Sequence, residues 1–185
     1  MNKIWLSLLF GVCIISAINA QQIAIKSNLV YDATASINIG AEYAINKRIS
    51  VDLSGNYNGW DVGDKSWKHW MIQPEARYWL FESFNGHFFG VHAMYADYDI
   101  SRLDFSLADF KRKYQYVGTA YGGGVSYGYS LYVTPRVNIE FTAGIGYLNF
   151  EYDKTLIKSQ QLEGRFTKSY FGPTKLGISI IYIIK

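Results

Sequence analysis

From Ser36 the chain alternates. Ile37, Ile39, Ala41, Tyr43 and Ile45 take one set of positions, and Ser36, Asn38, Gly40 and Glu42 take the other. A period of two puts these sets on opposite faces of a β-strand. Asn46-Lys47-Arg48 then turns the chain. Ile49, Val51, Leu53 and Tyr57 next alternate with Ser50, Asp52, Ser54 and Asn56. Two such runs joined by a short polar turn predict a hairpin.

The same alternation predicts eight strands, near 23–33, 35–45, 49–58, 68–80, 87–98, 117–132, 136–151 and 170–184. Compact turns follow the second, fourth and sixth: NKR, FESFNG and VTPR. Longer polar linkers follow the third, fifth and seventh, around NGWDVGDKS, SRLDFSLADFKRKYQ and DKTLIKSQQLEGRFTK. Only the linker near Asp32-Ala33-Thr34 is tight on that side. Short turns at one end and long loops at the other mark an outer-membrane barrel. The expected fold is all-β: an eight-stranded antiparallel up-and-down transmembrane β-barrel over residues 21–185. Aromatics make up 17% of the chain while mean hydropathy is only −0.03, as alternation of oily and polar residues requires.

Residues 1–20, MNKIWLSLLFGVCIISAINA, have the form of a signal peptide. Lys3 supplies the positive start, Ile4 to Ile18 the apolar run, and Ile18-Asn19-Ala20 a cleavage site. An uncleaved anchor helix is the alternative, but the run is short for a span of ~20 residues. Export followed by insertion in the outer membrane is the expected localisation. The single cysteine, Cys13, falls in this segment, so residues 21–185 offer neither a disulfide framework nor a thiolate metal site. No later apolar run approaches the ~18 residues of a membrane helix. A net charge of +3 is too weak to indicate a nucleic-acid partner.

The run MIQPEARYWL (71–80) holds two charges and a proline among large apolar residues. Alternation puts Trp70, Ile72, Pro74, Ala76, Tyr78 and Leu80 on one face, and Met71, Gln73, Glu75, Arg77 and Trp79 on the other. On a barrel's lipid face a mid-membrane Lys or Arg costs ~2–4 kcal/mol. Glu75 and Arg77 are therefore expected in the lumen. Lys26, Glu42, Asp52, His92, Glu140 and Lys175 take inward positions on the other strands. Such a set can fill a narrow barrel as a salt-bridged plug, or line a gated ion or proton path. Pro74 cannot donate to a ladder, so a bulge or kink is expected there.

A soluble lipocalin-like ligand-binding barrel is the main competing fold, with apolar residues inward. Tyrosines on the apolar face favour the membrane version: Tyr31, Tyr43, Tyr57, Tyr78, Tyr95, Tyr127, Tyr147 and Tyr182, many near strand ends. So do glycines on the polar face, among them Gly40, Gly90, Gly128, Gly144 and Gly177, which leave room in a narrow lumen. KLGISIIY (175–182) has the form of a C-terminal insertion signal, although the chain ends on Lys185.

No catalytic residue, metal ligand or cofactor is expected. His69, His87 and His92 form no HExxH motif. His69, with Ser66 near the outer rim, is the one place for a lipid-modifying enzyme. Asp32, Asp61, Asp97, Asp99 and Asp153 fall at outward strand ends, where solvated carboxylates or a hard-cation site are the two readings. Gly122–Gly124 lacks a following GK[ST], so it is no phosphate loop. The loop residues Trp60, Phe110, Lys111, Arg112, Lys113, Tyr114 and Arg165 combine aromatic and basic groups. They suit contact with lipid or lipopolysaccharide phosphates or with an envelope protein.

WKHWMIQPEARYWLFESFNGHFFGVH (67–92), YGGGVSYGY (121–129), YFGPTKLGISIIY (170–182) and KSNLVYDATASINIG (26–40) together resemble a Bacteroidetes family, domain of unknown function 3575. The resemblance implies a small barrel-like envelope protein with no assigned activity. It also implies an association with fimbria-type surface proteins. The expected role is structural or surface-interacting, through the long loops.

Overall fold

The computed structural model describes residues 22–62, 65–102, 113–159 and 161–184. The expected signal peptide (1–20), and Phe110, Lys111 and Arg112, lie outside the described residues.

The strands are β1 (Ile23–Asn28), β2 (Ile37–Ala44), β3 (Ile49–Asn58, resuming over Asp61–Val62), β4 (Lys65–Trp79), β5 (Gly86–Ser101), β6 (Tyr114–Thr134), β7 (Val137–Leu156) and β8 (Gln161–Ile183). One short helix, α1 (Leu29–Ala33), follows β1. Each strand pairs antiparallel with its sequence neighbours, and β1 pairs with β8 from Ala24↔Ile183 to Asn28↔Ser179. The sheet therefore closes on itself as an eight-stranded up-and-down barrel. Where β1 and β8 pair, closure removes the edge that an open sheet would expose. A barrel of this size is just wide enough for its own side chains to fill.

Several local expectations need correcting. The first strand ends at Asn28, not near residue 33. Asn28 caps a helix there, its side chain accepting from Val30 N at 3.1 Å, because a short polar amide satisfies a free helix donor. Tyr31 consequently leaves the outward apolar set and borders a small lumen cavity. Pro74 makes no bulge. The ladder to β3 runs unbroken through Leu53↔Pro74, and the register to β5 is the same above and below it. Pairing to β5 lapses only between Ile72↔Tyr95 and Glu75↔His92, where the missing N–H would have bonded. The last long linker is largely strand, because β7 runs to Leu156 and β8 starts at Gln161, and β6 starts at Tyr114, ahead of the expected 117. The chain thus builds a tall sheet of β5–β8 that projects past the shorter β1–β3.

Candidate functional site

The lumen is organised around Arg77 on β4. Its Nε donates to Glu75 Oε2 at 2.6 Å, and its Nη1 to Glu42 Oε2 at 2.7 Å and to Glu140 Oε2 at 2.8 Å. Nη2 donates to Glu140 Oε1 at 3.1 Å. Lys26 Nζ lies 2.7 Å from Glu42 Oε2 and 2.6 Å from Asp52 Oδ2. Lys175 Nζ donates to Glu75 Oε2 at 2.8 Å. His92 Nε2 and Thr174 Oγ1 are 2.9 Å apart. All eight charged or titratable residues expected in the lumen thus meet in one cluster there, and Glu42, Glu75 and Arg77 are almost completely buried. Paired and hydrogen-bonded charges can be kept dry; lone ones cannot.

Hydroxyls complete the network. Ser126 donates to Glu75. Trp79 Nε1 donates to Ser50 Oγ at 2.8 Å, and Ser50 Oγ to Glu42 Oε1 at 2.5 Å. Glycine makes the room. A Cβ on Gly90 would stand 2.5 Å from Glu75 Oε1, and one on Gly40 would stand 2.7 Å from Lys26 Cγ. The largest side chains and the barest positions therefore share one layer.

Towards the short-turn end the lumen closes with apolar groups. Trp79, Phe84 and Phe88 are fully or almost fully buried, and Trp79 and Phe88 pack with ring centroids 4.7 Å apart. The Arg77 guanidinium sits 4.4 Å from the Phe88 centroid, a cation–π contact. Phe84 comes from the β4–β5 turn with φ +67, a conformation costly for a side-chain-bearing residue. Its carbonyl accepts from Asn138 Nδ2 at 2.5 Å and Ser130 Oγ at 2.9 Å, which holds the turn tucked inward. A small cavity of about 30 Å³, lined in part by Lys26, Asn56, Arg77 and Glu140, borders the ionic layer. It has space for a water or so.

The outer wall carries two aromatic bands. Cross-strand register sets Tyr57 beside Trp70, Tyr95 beside Tyr121, and Tyr147 beside Phe171. Near the short turns, Tyr78, Phe89 and Tyr127 form a second aromatic band across β4, β5 and β6, again in register. Between the bands the wall is apolar, with Val51, Leu53, Ile72, Val91, Val125, Ile145, Ile178 and Ile180 all exposed. From Trp70 to Tyr78 the strand advances ~26 Å at ~3.3 Å per residue.

Beyond the Tyr57–Phe171 ring the alternation changes phase. On β5 the outward positions become Asp97 and Asp99, and Tyr98 is buried. On β7, Glu151 and Asp153 alternate with the inward Phe150 and Tyr152. On β8, Arg165, Thr167 and Ser169 alternate with Phe166, Lys168 and Tyr170. The inner face becomes an aromatic cup: Tyr98, Tyr114, Tyr116, Tyr152 and Phe150 pack together.

This sheet rearranges the expected loop site. Tyr114 is buried in the cup, with Lys154 Nζ 3.9 Å and Lys113 Nζ 4.9 Å from its ring centroid. It is no exposed contact residue. Arg165 stands on strand β8, where its Nε donates to Asp153 Oδ1 at 3.1 Å. Trp60 lies in the break between the two parts of β3 and is exposed. Trp60, Tyr114 and Arg165 thus fall at separate places, beside β3, inside the cup and on the outward face of β8. Lys154 also hydrogen-bonds to Glu163 at 2.7 Å, which lowers that carboxyl's pKa and raises that of the lysine.

The other groups considered for chemistry sit apart, each with its own neighbours. Asp32 accepts from Asn38 Nδ2 at 2.7 Å, Asp99 from Gln115 Nε2 at 2.8 Å, and Asp61 pairs with Lys68 at 2.9 Å. Among the described residues no three of His, Cys, Asp or Glu gather as a metal site. His69 lies tilted against Trp67, at 5.6 Å between centroids, and His87 Nδ1 meets Tyr127 OH at 2.7 Å.

Comparison with known families matches residues 5–184 to the family described as Protein of unknown function (DUF3575). No curated protein and no solved structure matches the chain.

Proposed function

The chain belongs to the DUF3575 family, and we propose that it is an outer-membrane barrel that works by contact and not by catalysis. The lumen is a plug that fixes the barrel's shape. The β5–β8 sheet, standing above the membrane, is the surface that meets a partner. A fimbrial or other envelope protein is the partner class proposed, with outer-membrane lipid or lipopolysaccharide around the wall.

One observation carries this reading: the phase change above the Tyr57–Phe171 ring. Between the bands oily residues face out and ionic ones face in. Above the ring carboxylates face out and aromatics face in. A barrel bathed in one solvent has no reason to invert. A wall that leaves hydrocarbon for water does. The lipocalin-like alternative also needs a ligand chamber, and the cavity in the ionic layer is about 30 Å³.

The test is fractionation followed by mild-detergent affinity purification. The mature protein is expected in the outer membrane after alkaline washing, with a stoichiometric envelope protein co-eluting. Shortening β6 and β7 above the ring should release that protein and leave the barrel folded. Recovery of the protein in the aqueous phase, or no stoichiometric companion, would overturn the reading.

A further inference from the structure

We propose that the upper edge of β8, from Gln161 to Gly172, accepts an extended segment of another protein as an added strand. The proposal rests on the reading of the projecting sheet as the contact surface and specifies how the contact is made. β1 pairs with β8 only from Ser179 to Ile183. Just above, the Asn28 side chain stands in for a strand: Nδ2 donates to Leu176 O at 3.2 Å, and Oδ1 accepts from Ile178 N at 3.2 Å. Higher still, among the described residues, β7 is the only strand paired with Gln161–Gly172.

The geometry makes this edge a template. Leu176 and Ile178 aim their backbone groups away from β7. Thr174 is the extra residue of a bulge, so Pro173 and Phe171 face outward as Leu176 does. The alternation then aims the backbone of Phe171, Ser169, Thr167 and Arg165 at the open side. No proline interrupts 161–172, and Pro173 sets the lower limit. Exposed apolar groups flank the edge: Phe171 is 72%, Leu162 58% and Phe166 40% exposed. An unpaired edge with side-chain footholds is what strand addition uses.

A second copy in the same membrane does not fit. Two barrels inserted alike are related by an axis along the membrane normal, so their β8 strands run in the same direction. An antiparallel ladder between identical edges needs an axis across the strands. The occupant is therefore a segment of a different chain. It presents apolar residues at every second position, beside Phe166 and Tyr170, and polar residues beside Arg165 and Thr167.

The test is amide exchange by NMR on the full mature protein in micelles, with a short synthetic peptide alternating valine with threonine or glutamate as the probe. Without peptide, the Thr167, Ser169 and Phe171 amides should exchange at least ~10-fold faster than those of Phe166, Lys168 and Tyr170. Saturating peptide should slow the first three by ~10-fold or more. Thr167→Pro removes an edge N–H and no β7 bond, so it should abolish that slowing; Ser169→Pro serves if the first variant misfolds. Edge amides already protected without peptide, or no slowing with it, overturns the proposal. So does slowing that survives both variants. Any of these leaves the contact-surface reading standing, because truncation and co-purification test that separately.

Discussion

Arg77 and Glu140 meet across the lumen in a two-pronged pair, Nη1 to Oε2 at 2.8 Å and Nη2 to Oε1 at 3.1 Å. The same guanidinium also holds Glu42 and Glu75. One flat, five-donor group thus ties β4 to strands on the far side of the barrel, which a point charge on a flexible stem does less well.

Removing that group leaves three buried carboxylates short of a partner. Arg77→Ala is expected to destabilise the barrel by ~3–5 kcal/mol. Arg77→Lys keeps the charge but loses the fork, and should fall in between. Urea unfolding in detergent, followed by the gel shift between folded and unfolded barrel, measures both. A stability equal to wild type in Arg77→Ala would remove the plug from the account.

A plug sealed below by Trp79, Phe84 and Phe88 should not conduct. The wild-type protein in a planar bilayer is expected to give no steady current. A stable open level would show that the lumen is a path and not a filling.

Room left by glycine should be sensitive to single methyl groups. A Cβ on Gly128 would stand 2.3 Å from Phe88 Cζ and 2.8 Å from Phe141 O. Gly128→Ala is expected to cost ~1–3 kcal/mol. Gly55→Ala, whose nearest contact is Met71 O at 3.3 Å, should cost clearly less. Unfolding midpoints of the two variants decide.

Much of this was legible in the chain itself. Ser36–Ile45 gave its two faces directly, and MIQPEARYWL gave the inward direction of Glu75 and Arg77. The tops of β7 and β8 were not legible as strand. Glu151, Asp153, Arg165 and Thr167 look like loop when an apolar outward face is the template, yet a strand standing in water has polar residues there. The inner aromatics Phe150, Tyr152, Phe166 and Tyr170 kept the period of two, in the opposite phase, and that was the available signal. The helix at Leu29–Ala33 depends on the cap at Asn28, which alternation does not report.

At the tip of β7–β8, Lys154 hydrogen-bonds to Glu163 and lowers its pKa. A lowered acid stabilises the fold above its ordinary pKa and stops doing so as pH falls through its lowered value. NMR titration should place the Glu163 midpoint below the usual glutamate value near ~4.3. Lys154→Met should return it towards that value. An unchanged midpoint would break the link between the two residues.

The central claim is that the oily wall faces acyl chains while the ionic layer faces the axis. Trp70 is 42% exposed on the wall, and Trp79 is 0% exposed in the lumen. Single-tryptophan variants, refolded into vesicles whose acyl chains carry bromine, report each side chain's surroundings directly. Strong quenching of Trp70 with Trp79 left bright is the predicted result. Bright Trp70 that only aqueous acrylamide quenches would contradict the account.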